Sequence, residues 1–274
     1  MGIIRSSVLS NSHVTTPSPL LDAGTLKKGL KKFGSKVYAF ETIDSTNNCA
    51  KALASCWARE GTLVLAEQQT AGKGRLGRSW QANPYENLTF SIILRPTLSS
   101  EALNLLPLYA AVGLAEAIEK ETGLSVECKW PNDLLIHGKK VAGILLEGSL
   151  KENQIDHVVL GIGLNVNQTT FSEELAERAT SLKLQAGREF DRVQILRSIL
   201  RILESHYALI TKKGLQSLLP LWMARTTMLN REISVTRDGT IISGVVRGLS
   251  PDGALILESE GTEKTLFAGD VTIL

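Results

Sequence analysis

Residues 129–167 read KWPNDLLIHGKKVAGILLEGSLKENQIDHVVLGIGLNVN, and the spacing of apolar runs and turn residues in this stretch decides the fold class. Ser125 to Trp130, Leu134 to Ile136, Lys140 to Leu150 and Ile155 to Val166 read as four strands, with His137-Gly138 and Glu152-Asn153 as hairpin turns. Pro131 directly after a strand forces a turn, so Asn132 and Asp133 stand at its rim, where their polar groups can find partners. Lys140 opens the return strand beside them. There it either meets a carboxylate or phosphate or is a plain surface lysine. Gly161 to Asn167 closes the last strand, and Asn165 is either a turn former or an amide placed to read a base or ureido edge.

Upstream, Val37 to Ile43 reads as a strand, and Asp44-Ser45-Thr46-Asn47 offers capping residues for an Ala-rich helix ending near Glu60 and Gly61. Thr62 to Gln69 is a second strand. From Thr70 to Asn87 there is no helical period, and loops of this length in compact domains are usually functional. Glu67 to Trp80, EQQTAGKGRLGRSW, contains G-x-G-x-x-G at Gly72, Gly74 and Gly77. A dinucleotide-binding turn needs a helix to open straight after it, and here Asn83-Pro84 and a strand follow instead. No Gly-Lys-Ser/Thr ends the run either. Three readings stand. The loop is an anion cradle with Lys73, Arg75 and Arg78, a solvated flexible loop, or a nucleic-acid patch with Trp80 and Tyr85 as stacking surfaces. Asn87 to Arg95 then reads as a strand and Ser99 to Glu121 as a helix with a proline in its first turns.

Downstream, Val193, Leu196, Leu200, Leu203, Tyr207 and Ile210 fall on one stripe of a long helix. After Trp222 the period changes. Glu232 to Val235, Ile241 to Arg247, Ala254 to Glu258, Lys264 to Phe267 and Val271 to Leu274 look like five short strands, which suggests a small barrel of SH3-like size. The chain has 274 residues, 43% hydrophobic, with 30 Lys and Arg against 28 Asp and Glu, a net charge of +2 that weakens any nucleic-acid reading. Its 3 Cys form no CxxC pair and its 4 His are scattered, which argues against a disulfide scaffold or a metal site and fits a reducing cytoplasm. The longest mostly apolar run, Leu105 to Ala115, is too short to span a bilayer, so no membrane association is expected. Residues 1–25 read as a Ser/Thr/Pro tail without a signal sequence.

The order of these pieces resembles the biotin protein ligases. Thr42 to Asn47, Gln69 to Trp80, Lys129 to Asp133 with Lys140 to Gly143, and Gly161 to Asn165 all match that family's motifs in sequence order. The resemblance runs from about Lys36 to the C-terminus. It implies an α+β fold: a class II tRNA synthetase-like mixed sheet with flanking helices over residues 36–226, then a small SH3-like β-barrel over 227–274. Residues 1–35 form the tail and a short basic segment containing Lys27, Lys28, Lys31 and Lys32. The implied reaction condenses biotin and ATP, with Mg²⁺, to biotinyl-5'-AMP, and then passes biotin to a lysine of a biotin carboxyl carrier protein domain of a carboxylase.

Residue by residue, the resemblance places Ser45, Thr46, Asn47 and Gln69 around the biotin ureido group. Gly72, Lys73, Gly74 and Arg75 wrap the biotin, and Lys140 holds its carboxylate and then the acyl phosphate. Trp80 stacks on adenine, with Arg78, Asn132 and Asn165 also on the nucleotide side, and Asp133 orients Arg75 or the incoming lysine. Lys140, Arg75 and Asp133 are thus the candidate catalytic residues. The loop Ala71 to Trp80 is expected to be mobile when empty and ordered over the adenylate. Lys73 stands where the family usually has Arg. About 35 residues before the first catalytic strand are too few for a winged helix-turn-helix, so no DNA binding is expected. A homodimer is the family's habit. The alternatives are a lipoate or octanoate ligase or transferase of the same fold, and a non-enzymatic nucleic-acid-binding regulator.

Overall fold

The computed structural model describes residues 26, 30–97, 100–152, 154–237 and 239–273. The expected tail, 1–25, and Lys27 and Lys28 of the basic segment lie outside them. Seven strands, β1 (Val37–Ile43), β2 (Leu63–Gln69), β3 (Leu88–Leu94), β4 (Glu127–Lys129), β5 (Asp133–Ile136), β6 (Lys139–Lys151) and β7 (Gln154–Leu164), form one sheet in the order β1-β2-β3-β7-β6-β5-β4. β1 and β2 run parallel and the remaining neighbours antiparallel, so the sheet is mixed. A parallel pair needs a crossover, and α1 (Thr46–Ser55) supplies it.

Alternation along β2 shows how the sheet divides two cores. Leu63 and Leu65 pack into the main core on one face, while Val64 and Ala66 join Cys49, Ala50 and Leu53 of α1 on the other. The main core is filled by α2 (Leu106–Thr122) and α3 (Arg192–Lys213). The expected stripe on α3 is buried at Leu196, Leu200, Leu203, Tyr207 and Ile210. Asp191 caps this helix, its Oδ1 accepting from the backbone N–H of Val193 at 2.8 Å and Gln194 at 3.2 Å. Ahead of β1, Leu26 and Phe33 are buried in the same core.

Two boundaries and the closure of the C-terminal sheet differ from expectation. α1 stops at Ser55, not near Glu60, because Cys56 leaves helical geometry and Trp57 turns left-handed at φ 61°. The helix expected over 99–121 is a 3-10 segment over Ser100–Leu105 followed by α2, since Pro107 can only sit in a helix's first turn. The C-terminal strands β8 (Glu232–Arg237), β9 (Thr240–Leu249), β10 (Leu255–Ser259), β11 (Thr262–Leu266) and β12 (Asp270–Ile273) form a five-stranded antiparallel sheet in the order β11-β10-β9-β8-β12. Among the described residues β11 and β12 are its two edges, so strand pairing does not close the expected barrel.

This second sheet is not a separate bead. Ile233, Val235, Val246, Leu255 and Leu257 belong to the main core cluster with Leu105 and Leu108. The turn at Gly253 lies so close to Leu105 that a Cβ there would meet its Cδ2 at 2.8 Å. Trp130, 2% exposed, donates its Nε1–H to the Gly253 carbonyl at 3.2 Å, which fixes the turn after β4 against the C-terminal sheet. Among the described residues no helix is long and apolar enough to cross a membrane.

Candidate functional site

The motif segments converge at one end of the mixed sheet, where β1, β2 and β7 finish and β6 begins. Ser45, Thr46 and Asn47 open α1 and are buried against the sheet at 1%, 2% and 4% exposure, so each polar atom needs a partner. Gln69 Oε1 accepts from the Thr46 N–H at 2.8 Å and the Thr46 hydroxyl at 3.1 Å. Ser91 on β3 reaches both Thr46 Oγ1 at 2.8 Å and Asn47 Oδ1 at 2.6 Å, and Asn47 Nδ2 donates to Glu147 Oε2 at 2.7 Å. Glu147 in turn meets Lys51 Nζ at 2.6 Å. Burial pushes the Glu147 carboxyl up, but the hydrogen bonds from Lys51 and Asn47 outweigh it and hold the group below the ordinary carboxylate range. A continuous polar chain thus runs from Lys51 to Gln69.

The glycine-rich loop is folded on itself. Gly74 N–H donates to Arg78 O at 2.7 Å and Trp80 N–H to Gly72 O at 3.1 Å, around a short turn at Arg75–Gly77 in which Leu76 is left-handed at φ 53°. Gly72 is required by close approach, since a Cβ there would stand 2.4 Å from the Trp80 carbonyl oxygen. Lys73 Nζ donates to Asn48 Oδ1 at 2.6 Å and Arg75 Nη1 to Asn132 Oδ1 at 3.1 Å. Arg78 pairs with Asp270 on β12, so the C-terminal sheet also holds this loop.

The hairpin supplies the other wall. Asp133 Oδ1 meets Lys140 Nζ at 2.7 Å, and Asn132 is fixed by donating Nδ2–H to Ile144 O at 2.6 Å. Asn132, rather than Asp133, is therefore the side chain hydrogen-bonded to Arg75. Burial lowers the Arg75 and Lys129 values from their ordinary range, opposed in both cases by Asp133 and Asp270. Asp133 and Asp270 are the carboxylates that meet Lys129, Lys140, Arg75 and Arg78 among the described residues' ion pairs and charge interactions, so four cations share two carboxylates in an electropositive niche suited to anions. Asn165, 4% exposed, donates Nδ2–H to Thr180 O at 2.9 Å, and its Oδ1 has no partner among the described residues.

Between these walls three sheet positions carry no side chain of their own. Gly143 and Gly163 are cross-strand partners on β6 and β7, and Gly161 lies two residues away on the same face. The Trp80 indole rests on the first pair: a Cβ at Gly163 would meet its Cε2 at 2.2 Å, and one at Gly143 its Cζ3 at 3.2 Å. The indole Nε1 is buried with no partner among the described residues, and Lys140 Nζ stands 5.8 Å from the ring centroid. At Gly161 a Cβ would meet Asn47 Oδ1 at 2.2 Å. The glycines form a trough that runs from Asn47 to Lys140, polar at one end and cationic at the other.

Every candidate site residue from the sequence thus lies on these segments. Ser91, Glu147, Gly143, Gly161 and Asp270 were not singled out individually. Ser91 and Glu147 sit in strands where alternation marks only a face, and Asp270 is contributed by the second sheet. Among the described residues no group of three or more His, Cys, Asp or Glu side chains could hold a metal ion.

Comparison with known proteins adds independent findings. Residues 39–165 match the biotin/lipoate A/B protein ligase family, and residues 228–274 match the biotin protein ligase C-terminal domain. The bifunctional ligase/repressor BirA of Bacillus subtilis is 35% identical over 258 residues, covering 92% of this chain and 79% of its own length. The biotin–[acetyl-CoA-carboxylase] ligase of Paracoccus denitrificans is 33% identical over 239 residues, covering 83% of this chain and 96% of its own. The solved structure of the biotin protein ligase from Aquifex aeolicus in complex with biotin and ATP superposes with a TM-score of 0.76 at 29% identity, covering 88% of this chain and 99% of that one.

Proposed function

We infer the roles of the site residues from one premise: the chain belongs to the biotin protein ligases, within the biotin/lipoate A/B protein ligase family, and is an ATP-dependent ligase that joins biotin to protein. The observation that carries the assignment of roles is the glycine trough with an amide and hydroxyl cluster at one end and Lys140 at the other. A biotin ring at the Gly161 end would have its ureido group beside Thr46, Asn47, Ser91 and Gln69, and its valeryl chain would run toward Lys140 once the Trp80 indole moves off Gly163. An apolar floor with a few convergent polar groups suits such a ligand.

The first half-reaction must bring two anions together. The biotin carboxylate attacks the α-phosphorus of ATP, a P–O bond forms as the bond to the departing pyrophosphate breaks, and biotinyl-5'-AMP results. Lys140 and Arg75 are placed to offset charge that moves onto the leaving group, an effect largest in the transition state. Asp133 holds the Lys140 ammonium and Asn132 the Arg75 guanidinium, so both cations are oriented before substrate arrives. Lys73, Gly72 and Gly74 lie on the biotin side, while Arg78, Trp80, Asn132 and Asn165 lie on the nucleotide side. Lys73, standing where the family usually has Arg, reaches Asn48 as a single-point donor rather than through a bidentate fork. Mg²⁺ accompanying the ATP phosphates would supply further charge neutralisation.

In the second half-reaction the acceptor is a lysine of a biotin carboxyl carrier domain. Its neutral amine attacks the acyl carbon and expels AMP. ATP–pyrophosphate exchange in the presence of Mg²⁺, run with biotin, lipoate and octanoate in turn, tests the first step without a carrier. Exchange that depends on biotin is expected. Exchange with lipoate or octanoate alone would move the chain to a sister activity of the same fold, and no exchange with any acid would favour a non-catalytic regulator.

A further inference from the structure

Two segments that carry nucleotide-side residues, 80–87 and 165–170, are fastened to each other by a pair of buried amides that the mechanism above does not use. Asn87 is 4% and Gln168 5% exposed. Asn87 Oδ1 accepts the Val166 N–H at 3.0 Å, and Asn87 Nδ2 donates to Gln168 Oε1 at 2.5 Å. The same Gln168 oxygen accepts the Asn83 N–H at 3.2 Å, while Gln168 Nε2 donates to the Thr170 carbonyl at 2.7 Å. Backbone N–H groups can only donate and backbone carbonyls can only accept, so each amide has a single orientation and the ties cross in both directions.

Beneath the amides, Arg192 on α3 donates to the Asn87 carbonyl at 2.9 Å and to Glu67 Oε2 at 2.6 Å, a buried pair that roots the assembly on β2. Above them lies a cavity of about 400 Å³, lined by Gln81, Asn83, Gln168 and Phe171 among others. Close packing therefore leaves one side of the 81–83 backbone open, and directed hydrogen bonds set its position. The bonds that hold Thr46, Asn47 and Gln69 run to Ser91 and Glu147 and do not pass through this assembly.

We propose that Asn87 and Gln168 form a buckle that sets Trp80 relative to Asn165, and that Gln168 is a positioning residue for ATP and not for biotin. The proposal rests on the reading that Trp80 and Asn165 flank the nucleotide. Gln168→Met keeps the volume and removes both the acceptor and the donor, whereas Gln168→Glu keeps the acceptor oxygen. In biotin-dependent pyrophosphate exchange, Gln168→Met is expected to raise the ATP KM about tenfold with the biotin KM within about twofold, and Gln168→Glu, which sets an oxygen against the Thr170 carbonyl, to raise the ATP KM as well. An unchanged ATP KM in Gln168→Met, or both KM values rising together, overturns the buckle. Asn87→Ser is expected to give the same split and decides the matter if Gln168→Met does not fold. Trp80→Ala, assayed alongside, separates the two layers. A raised ATP KM in Trp80→Ala with none in Gln168→Met defeats the buckle alone, and a normal ATP KM in Trp80→Ala defeats the nucleotide-side reading and the buckle with it.

Discussion

Arg75 and Gly161 show how much of the site's chemistry rests on single positions. Arg75 is the loop cation that reaches the opposite wall, through its 3.1 Å hydrogen bond to Asn132. Removing it takes away one of the ties that closes the loop and, on the proposed reading, a charge next to the acyl phosphate. Arg75→Gly is expected to release biotinyl-AMP into solution, seen as diffuse labelling of bystander proteins when the variant is incubated with biotin and ATP; full retention of the adenylate would refute this role. Gly161 is a different kind of residue, valuable for what it lacks. A methyl group there would stand 2.2 Å from Asn47 Oδ1, and that side chain is already bonded at both its oxygen and its nitrogen, so it cannot swing away freely. Overpacking of this kind costs roughly 1–3 kcal/mol, so Gly161→Ala is expected to weaken biotin binding about tenfold or more, read by isothermal titration, with an unchanged circular dichroism spectrum. Wild-type affinity in that variant would mean that Asn47 does not border the ligand.

At the scale of elements, the contact between α1 and β6 is made by the Asn47, Lys51 and Glu147 cluster, and its charge gives it a pH dependence of known sign. Glu147 has a folded-state value below its unfolded one, so its stabilising effect is fully present above about pH 4.3 and is lost as pH falls through the folded value. The melting temperature of Glu147→Gln is expected to lie below wild type at pH 7, and the gap should close as the medium is acidified below about pH 4.3. A gap that stays constant down to pH 2, or that is absent at neutrality, would remove the carboxylate from the account. The strands around this cluster were legible because period-2 alternation and the His137-Gly138 turn leave few other readings. The end of α1 was not, because nothing in Ser55-Cys56-Trp57 announces a left-handed residue; Trp57 takes φ 61° with no glycine to mark it. The cationic loop was visible in the sequence as a loop of three possible uses, and the motif order then narrowed those uses to one. What stayed hidden were the cross-strand and inter-sheet partners, Ser91, Glu147 and Asp270, because register and sheet docking bring them in from far along the chain.

On the scale of the whole molecule, the two sheets share one core. Val235, Leu255 and Leu257 share a core with Leu105 and Trp130, and Arg78 pairs with Asp270 across the boundary. Urea denaturation followed by far-ultraviolet circular dichroism and by tryptophan fluorescence is expected to give coincident single transitions. Two resolved transitions would show that the shared core does not couple the sheets. The glycine trough has a consequence for the gene as well. Any glycine codon becomes an alanine codon by one base change, so Gly143, Gly161 and Gly163 are all one step from a methyl group. Those methyls would stand 3.2, 2.2 and 2.2 Å from a neighbouring side chain. In a library of random point variants selected for growth, sequencing should therefore trace the trough as gaps at those three codons, set in strands whose outward-facing positions accept many replacements.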